Sequence, residues 1–419
     1  MTTTAPSSDH GPALSPPAPV AVLSRVAPFR VYLVFTLLLV ASVAWRKGAY
    51  FSGGVDGVVV AKAALTSLAF VVALLDRRPP RAWSTLRGAP VLYLVAYLAV
   101  ATVGGLLTGD PLPSLVLAAR VALLAATLVL VVLAHPWQVV VSAMAGSMLA
   151  LATVGAVTGI GSIAETGRLY GGIPPLNANE ICFLVSVPLV VIFWRCVAEH
   201  ARWFEYVALP LLVGVVWLTG ARTGLAALVL AMLVVVALTP RVPEFIAALC
   251  ATAIPFVLYL TFFTDALSSF AGRGGVSSVI TLNSRTIAWR SALDYHDSVV
   301  GQLLGGGLSL KQVPVSAMYR SEQILDSTWF SAILQSGYVG LALLLLLLLS
   351  TLAAAFRRSA PGGALTVALI VMVTTVSVLE SGMFDTTPAF ILFFTLALLV
   401  HRLPHPMARP DSETVASRP

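Results

Sequence analysis

Charged side chains are scarce in this sequence. Asp, Glu, Lys and Arg make up 10% of its 419 residues, and 58% are hydrophobic, whereas a soluble domain carries about a quarter charged residues. So little polar surface cannot coat a globule of this length, which excludes a soluble fold. Cysteine is almost missing too. Cys182, Cys196 and Cys250 make no CxxC motif and no zinc spacing, so neither a disulfide framework nor a metal site is indicated, and the three read as apolar thiols. Strand-like alternation is also lacking. Val31–Trp45, Leu115–Leu133 and Leu341–Leu349 are apolar on all sides, which argues for helices and against a transmembrane barrel.

What is present is a series of long apolar blocks separated by short polar breaks. A helix needs about 20 such residues to cross the hydrocarbon core, where only helices and closed barrels satisfy their backbone groups. The sequence therefore predicts an all-α integral membrane protein with about twelve transmembrane helices and a large extracytoplasmic loop between the ninth and tenth. Residues 1–28, rich in Pro, Ser, Thr and Ala, read as a disordered cytoplasmic tail. Residues 29–263 carry spans one to nine, the first of them retained rather than cleaved. Residues 264–328 form the outer loop with short helices, 329–402 carry spans ten to twelve, and 403–419 form a second cytoplasmic tail.

Lys and Arg set the orientation. With the N-terminus inside, the inner segments hold Arg25, Arg30, Arg77, Arg78, Arg81, Arg87, Arg195, Arg202, Arg241, Arg357, Arg358, Arg402, Arg409 and Arg418, while the short outer loops hold only Arg46, Lys47, Arg168 and Arg222. Both termini are expected in the cytoplasm. The net charge of +7 then reports orientation, not a nucleic-acid partner.

The cations on the outer side are the informative ones. Lys62 and Arg120 each fall roughly 10 Å below the outer face, and Arg222 opens the eighth span. Charge at such depth is costly and usually faces a polar cavity, although long side chains also snorkel to the headgroups. An outer cationic cavity predicts an anionic, lipid-borne substrate. A lipid-linked pyrophosphate suits the planar fork of Arg. In the outer loop, helical spacing over Ser284–Asp297 puts Arg285, Trp289, Ala292 and His296 on one face and leaves Arg290 to pair with Asp294. Trp289 can stack on a sugar or pack the helix down. His296 is a candidate base or an incidental loop residue. Asp294 and Asp297 are too little for a metal. Glu180, Glu380 and Asp385 lie at the outer ends of spans, where each could balance arginines, bind hydroxyls or cap a helix. Gly171, Gly172 and Gly305–Gly307 need no more than tight turns.

Four segments together resemble the O-antigen ligase and O-antigen polymerase family of bacterial membrane glycosyltransferases. They are Arg168-Leu-Tyr-Gly171 through Asn177-Ala-Asn179-Glu180, Thr219-Gly-Ala-Arg222-Thr-Gly224, Ser284-Arg285 with Trp289 and the Gly305–Gly307 turn, and Asp326-Ser327 through Gln335-Ser-Gly337. The resemblance covers roughly residues 110 to 400. It implies transfer of a glycan from undecaprenyl pyrophosphate to a glycan or lipid acceptor on the outer face of the bacterial cytoplasmic membrane. Neither a metal nor another cofactor is implied, and other polysaccharide assembly proteins are conceivable partners beside the lipid bilayer. On this reading Arg168, Arg222 and Arg285, helped by Arg120, hold the pyrophosphate. Asn177, Glu180, Glu380 and Trp289 contact substrate, and Asp326 or His296 takes the proton. Ligases of the family typically have His-Asn where this chain has Asp326-Ser327, which tilts the expectation towards a polymerase. Asp326 before a helix is equally an N-cap. The rival class is a transporter of an anionic or lipid-linked solute, which paired repeats and broken helices would favour; the sequence displays neither.

Overall fold

In a computed structural model of the protein, residues 29–46, 56–76, 88–108, 111–198, 201–239, 242, 244, 276–317, 320–357 and 362–402 are described. The two expected tails and, but for residue 244, the ninth expected span at 244–263 lie outside the described residues. The helices are α1 (Phe29–Ser42), α2 (Gly57–Leu74), α3 (Ala89–Leu107), α4 (Pro111–Ala134), α5 (Trp137–Thr158), the short α6 (Ser162–Thr166), α7 (Ala178–Val197), α8 (Trp203–Thr219) and α9 (Arg222–Leu238). The loop region follows with α10 (Val276–Leu293), α11 (Val299–Leu304) and a hairpin of β1 (Gln312–Ala317) and β2 (Arg320–Ile324). The last three helices are α12 (Thr328–Phe356), α13 (Gly362–Leu379) and α14 (Pro388–His401). Among the described residues seven helices, α2, α3, α4, α5, α7, α12 and α13, are long and apolar enough to cross a membrane, and α1, α8, α9 and α14 are shorter apolar helices. The chain is an all-α protein with the helices of a multi-pass membrane protein. The antiparallel hairpin is a departure from the helices expected alone in the loop.

Local chemistry sets the helix ends. Asp56 caps α2, accepting from the Val59 N–H at 2.8 Å. Asn177 and Glu180 form a reciprocal capping box on α7. Proline opens the first turns of α3 and α14, where its missing N–H costs nothing. Left-handed Gly220 closes α8. Every residue of α14 except Ala389 is buried, so this helix forms the centre of the bundle. The buried hydroxyls of Thr127 and Thr351 are satisfied within their own helices, donating to the carbonyls four residues back at 2.8 and 2.6 Å. The outward faces of α2, α8 and α9 expose Leu68, Val71, Leu211, Trp217, Leu230 and Leu233, a surface suited to acyl chains.

Short connections separate the two ends of the bundle. The α4–α5 turn lies at one end, and the α5–α7 connection carries Asn177 to the other. At that second end α12 is broken at Gly337 (φ 63°, ψ −167°). The break frees carbonyls, and the glycine turn of the loop takes them. The amides of Gly306 and Gly307 donate to Leu334 and Gln335, each at 2.9 Å. A Cβ on Gly305 would sit 2.4 Å from the Gln335 carbonyl carbon. These glycines therefore do more than turn the chain, as the sequence had suggested: they let loop backbone dock against helix backbone. A small apolar core of Ala288, Ala292, Val313, Leu325 and Leu334, flanked by Trp289 and Phe330, seats α10 and the hairpin on α12.

Candidate functional site

The N-termini of α7, α12 and α14 open on one cavity of ≈ 430 Å³. Asn177, Asn179 and Glu180 line it from α7, Asp326, Thr328 and Gln335 from the α12 end, Glu380 from the end of α13, and Asp385 from the connection to α14. The loop contributes Arg285 from α10 and Lys311 from the start of the hairpin, and Tyr97, Phe183 and Phe384 give it an apolar side.

Its charges are arranged in contacts. Arg285 Nε lies 3.6 Å from Asp326 Oδ2, and Lys311 Nζ is bonded to Asp385 Oδ2. Glu380 Oε1 accepts from Asn179 Nδ2. Thr328 braces the same corner, its hydroxyl donating to the Glu380 carbonyl at 3.0 Å. Burial raises the Asp326 carboxyl above the ordinary carboxylate range, and Arg285 draws it part of the way back. Glu380, one residue past the end of α13, is pushed up to about 7, first by burial and then by the Asp326 charge. For Asp385 burial also acts upward, but Lys311 prevails and holds the carboxyl below its usual range.

Several expected site residues meet here: Asn177, Glu180, Arg285, Asp326 and Glu380 all line the cavity. Asp326 is not the cap of α12; Ser327 occupies that position and makes no side-chain capping bond. Glu180 does cap α7 and lines the cavity at once.

The expected cluster of arginines does not form. Arg168 is drawn to the C-terminal end of α8, where its Nε donates to the Thr219 carbonyl at 2.9 Å and its guanidinium lies over Tyr170. Arg222 is exposed at the start of α9 and does not line the cavity. Arg120 stands behind the wall, within electrostatic reach of Asp385. Lys62 is taken up by the end of α1, donating to the Val43 carbonyl at 2.7 Å, and does not line the cavity. The cavity itself sets four carboxyl groups, Glu180, Asp326, Glu380 and Asp385, against Arg285 and Lys311, so it is not the cationic cavity expected.

Two loop assignments are also corrected. His296 lies beyond the end of α10, and its Nε2 donates to the Leu334 carbonyl at 3.0 Å. It thus helps to satisfy the broken α12 and does not line the cavity. Trp289 stacks face to face on Phe330 with ring centroids 4.8 Å apart and does not line the cavity. Arg285, Trp289 and Ala292 do share the inward side of α10. Arg290 is exposed, and no ion pair joins it to Asp294 among the described residues.

Sequence reasoning missed Asn179, Lys311 and Gln335 as site residues, although all three stand inside or beside the quoted segments. The signal was weak because an amide in a turn and a lysine in a loop are common. For two of them the meeting depends on contacts distant in sequence, Lys311 with Asp385 at a separation of 74 and Asn179 with Glu380 at 201. Compared with known proteins, the chain matches no family model and no curated protein sequence.

Proposed function

We propose that the protein is a membrane glycosyltransferase of the polymerase or ligase kind. It moves a glycan from undecaprenyl pyrophosphate to an acceptor hydroxyl on the outer face of the bacterial cytoplasmic membrane. One observation carries this reading: a single cavity at one end of an apolar bundle combines two cations, three helix N-termini, amides and carboxyl groups. Cations and helix N-termini suit the oxygens of a diphosphate, whose charge grows as the sugar leaves. Carboxylates and amides suit sugar hydroxyls, and a carboxylate of raised pKa suits proton removal at neutral pH. In this version Arg285 and Lys311 hold the diphosphate, Arg120 adds its field from behind, and Arg168 and Arg222 take no direct part.

The cavity end is read as extracytoplasmic because Arg30, Arg195, Arg202, Arg357 and Arg402 all belong to the opposite helix ends. About twelve crossings with both termini inside, and an outer loop spanning 264–328, complete the proposed topology.

The test is transfer in vesicles, using the lipid-linked glycan that accumulates in cells lacking this protein. Arg285→Ala and Asp326→Asn are expected to lower the yield of new glycosidic bonds by about 10²-fold or more. Unchanged yield in both would sink the reading. The broken α12 supports a second reading, a transporter of an anionic or lipid-linked solute, because interrupted helices line many transport sites. Solute crossing the vesicle membrane with no glycosidic product would favour it.

A further inference from the structure

The four carboxyl groups of the cavity differ in what holds them. Asp326 faces Arg285. Asp385 is bonded to Lys311 and also accepts from the Thr386 amide at 2.7 Å. Glu180 is taken up by the α7 capping box, its Oε2 accepting from the Asn177 amide at 2.9 Å. Glu380 is bonded by a neutral group, the Asn179 side-chain amide on Oε1, and forms no ion pair among the described residues. Its backbone is tied at two points, the amide donating to Val376 and the carbonyl accepting from Thr328, both at 3.0 Å. The groups that face it are Asp326 and Arg285 across the cavity and Glu180 on α7.

We propose that Glu380 is the general base of this cavity and that Asn179 is the positioning residue that aims its carboxylate. The proposal rests on the transfer reading above and moves the base from Asp326 to Glu380. A carboxylate already paired with a guanidinium has its electron pair stabilised and is a poorer proton acceptor. One that is bonded by a neutral amide, with Asp326 and Glu180 adding like charge and Arg285 acting without an ion pair, is a better one. In the step, the acceptor O–H breaks and its proton passes to Glu380 as the acceptor oxygen bonds to the anomeric carbon. The bond from that carbon to the pyrophosphate breaks, and its electron pair leaves on the diphosphate, which Arg285 and Lys311 receive. Glu380 then returns the proton to water.

The bland explanation is that Asn179 and Glu380 merely tie α7 to α13, so the test needs a readout that a structural tie would not move. The full-length protein in lipid nanodiscs is titrated between about pH 5 and pH 9 while the infrared carbonyl band of protonated carboxyl groups is followed. A band that disappears with a midpoint near neutrality is expected. It should be lost in Glu380→Gln, kept in Glu180→Gln, and shifted in midpoint in Asn179→Ala. Transfer by Glu380→Gln should fall by about 10²–10⁴-fold, with partial recovery in Glu380→Asp. A neutral-range band that survives in Glu380→Gln, or no such band in the wild-type protein, would overturn the proposal. Intact titration with no glycosidic product from the wild-type protein would instead overturn the transfer reading and, with it, the role of base.

Discussion

The two ends of the bundle use charge in opposite ways. At the end away from the cavity every charged group in contact serves the fold. Arg402 donates to the Val132 and His135 carbonyls at 2.6 and 2.8 Å, closing the C-terminal end of α4. His135 Nε2 sits 3.0 Å from Asp76 Oδ2. Arg195 and Glu205 pair at 3.1 Å with side-chain exposures of 12% and 8%. At the cavity end carboxyl groups outnumber cations, and Glu380 has an amide for its partner. Burying charge is costly at either end. At the far end the cations are met by carboxylates or helix carbonyls, whereas at the cavity end four carboxyl groups face two cations across an open space.

The contrast is broken most forcefully at the end away from the cavity. Arg195→Ala leaves Glu205 buried without its cation and is expected to destabilise the protein by about 3–5 kcal/mol. Thermal unfolding in nanodiscs reads this, and the joint change Arg195→Met with Glu205→Leu should recover most of the loss. The folded fraction should keep its transfer activity, since neither residue touches the cavity.

A second, smaller effect is pH-dependent and belongs to the cavity end. The carboxyl of Glu380 titrates near 7 in the fold against 4.5 for a free glutamate. A raised carboxyl favours the folded state at low pH, and that contribution is lost as pH climbs from 4.5 through 7. The melting temperature should therefore decline by a few degrees, on the order of 1 kcal/mol in effect, across that window, and Glu380→Gln should flatten the decline. A melting temperature that rises across the same window in the wild-type protein, and not in the variant, would reverse the sign assigned to this group.

The smallest expected change in stability sharpens the comparison. Arg285→Ala removes an ion pair whose carboxylate is 43% exposed, so it should alter the melting free energy by less than about 1 kcal/mol while transfer collapses. Loss of stability without loss of function at Arg195, and the reverse at Arg285, is the pattern that the two ends demand.

Much of the molecule was legible in its residue pattern. Apolar blocks with polar breaks predicted the helices, because a backbone in hydrocarbon has few other ways to satisfy its hydrogen bonds. Glu180 could be read as one possible helix cap, and the structure makes it half of a capping box with Asn177. The inward side of α10, with Arg285 and Trp289, followed from helical spacing. The arginine cluster could not be read the same way. Arg120, Arg168 and Arg222 have sequence positions that suit an outer cavity, yet a long side chain goes to the nearest unsatisfied carbonyl or polar surface. For Arg168 that carbonyl belongs to Thr219, 51 residues away.

By itself the sequence determined the medium and the helices: too little charge for water, and enough apolar length for lipid. Which ionisable groups would share one space was decided only by the tertiary structure. Gly305 admits loop backbone to the broken α12, Asn179 meets Glu380 across 201 residues, and Lys311 meets Asp385 across 74. Helix formation is a local balance along the chain, whereas these contacts depend on how whole helices pack, and no short window of residues contains that information.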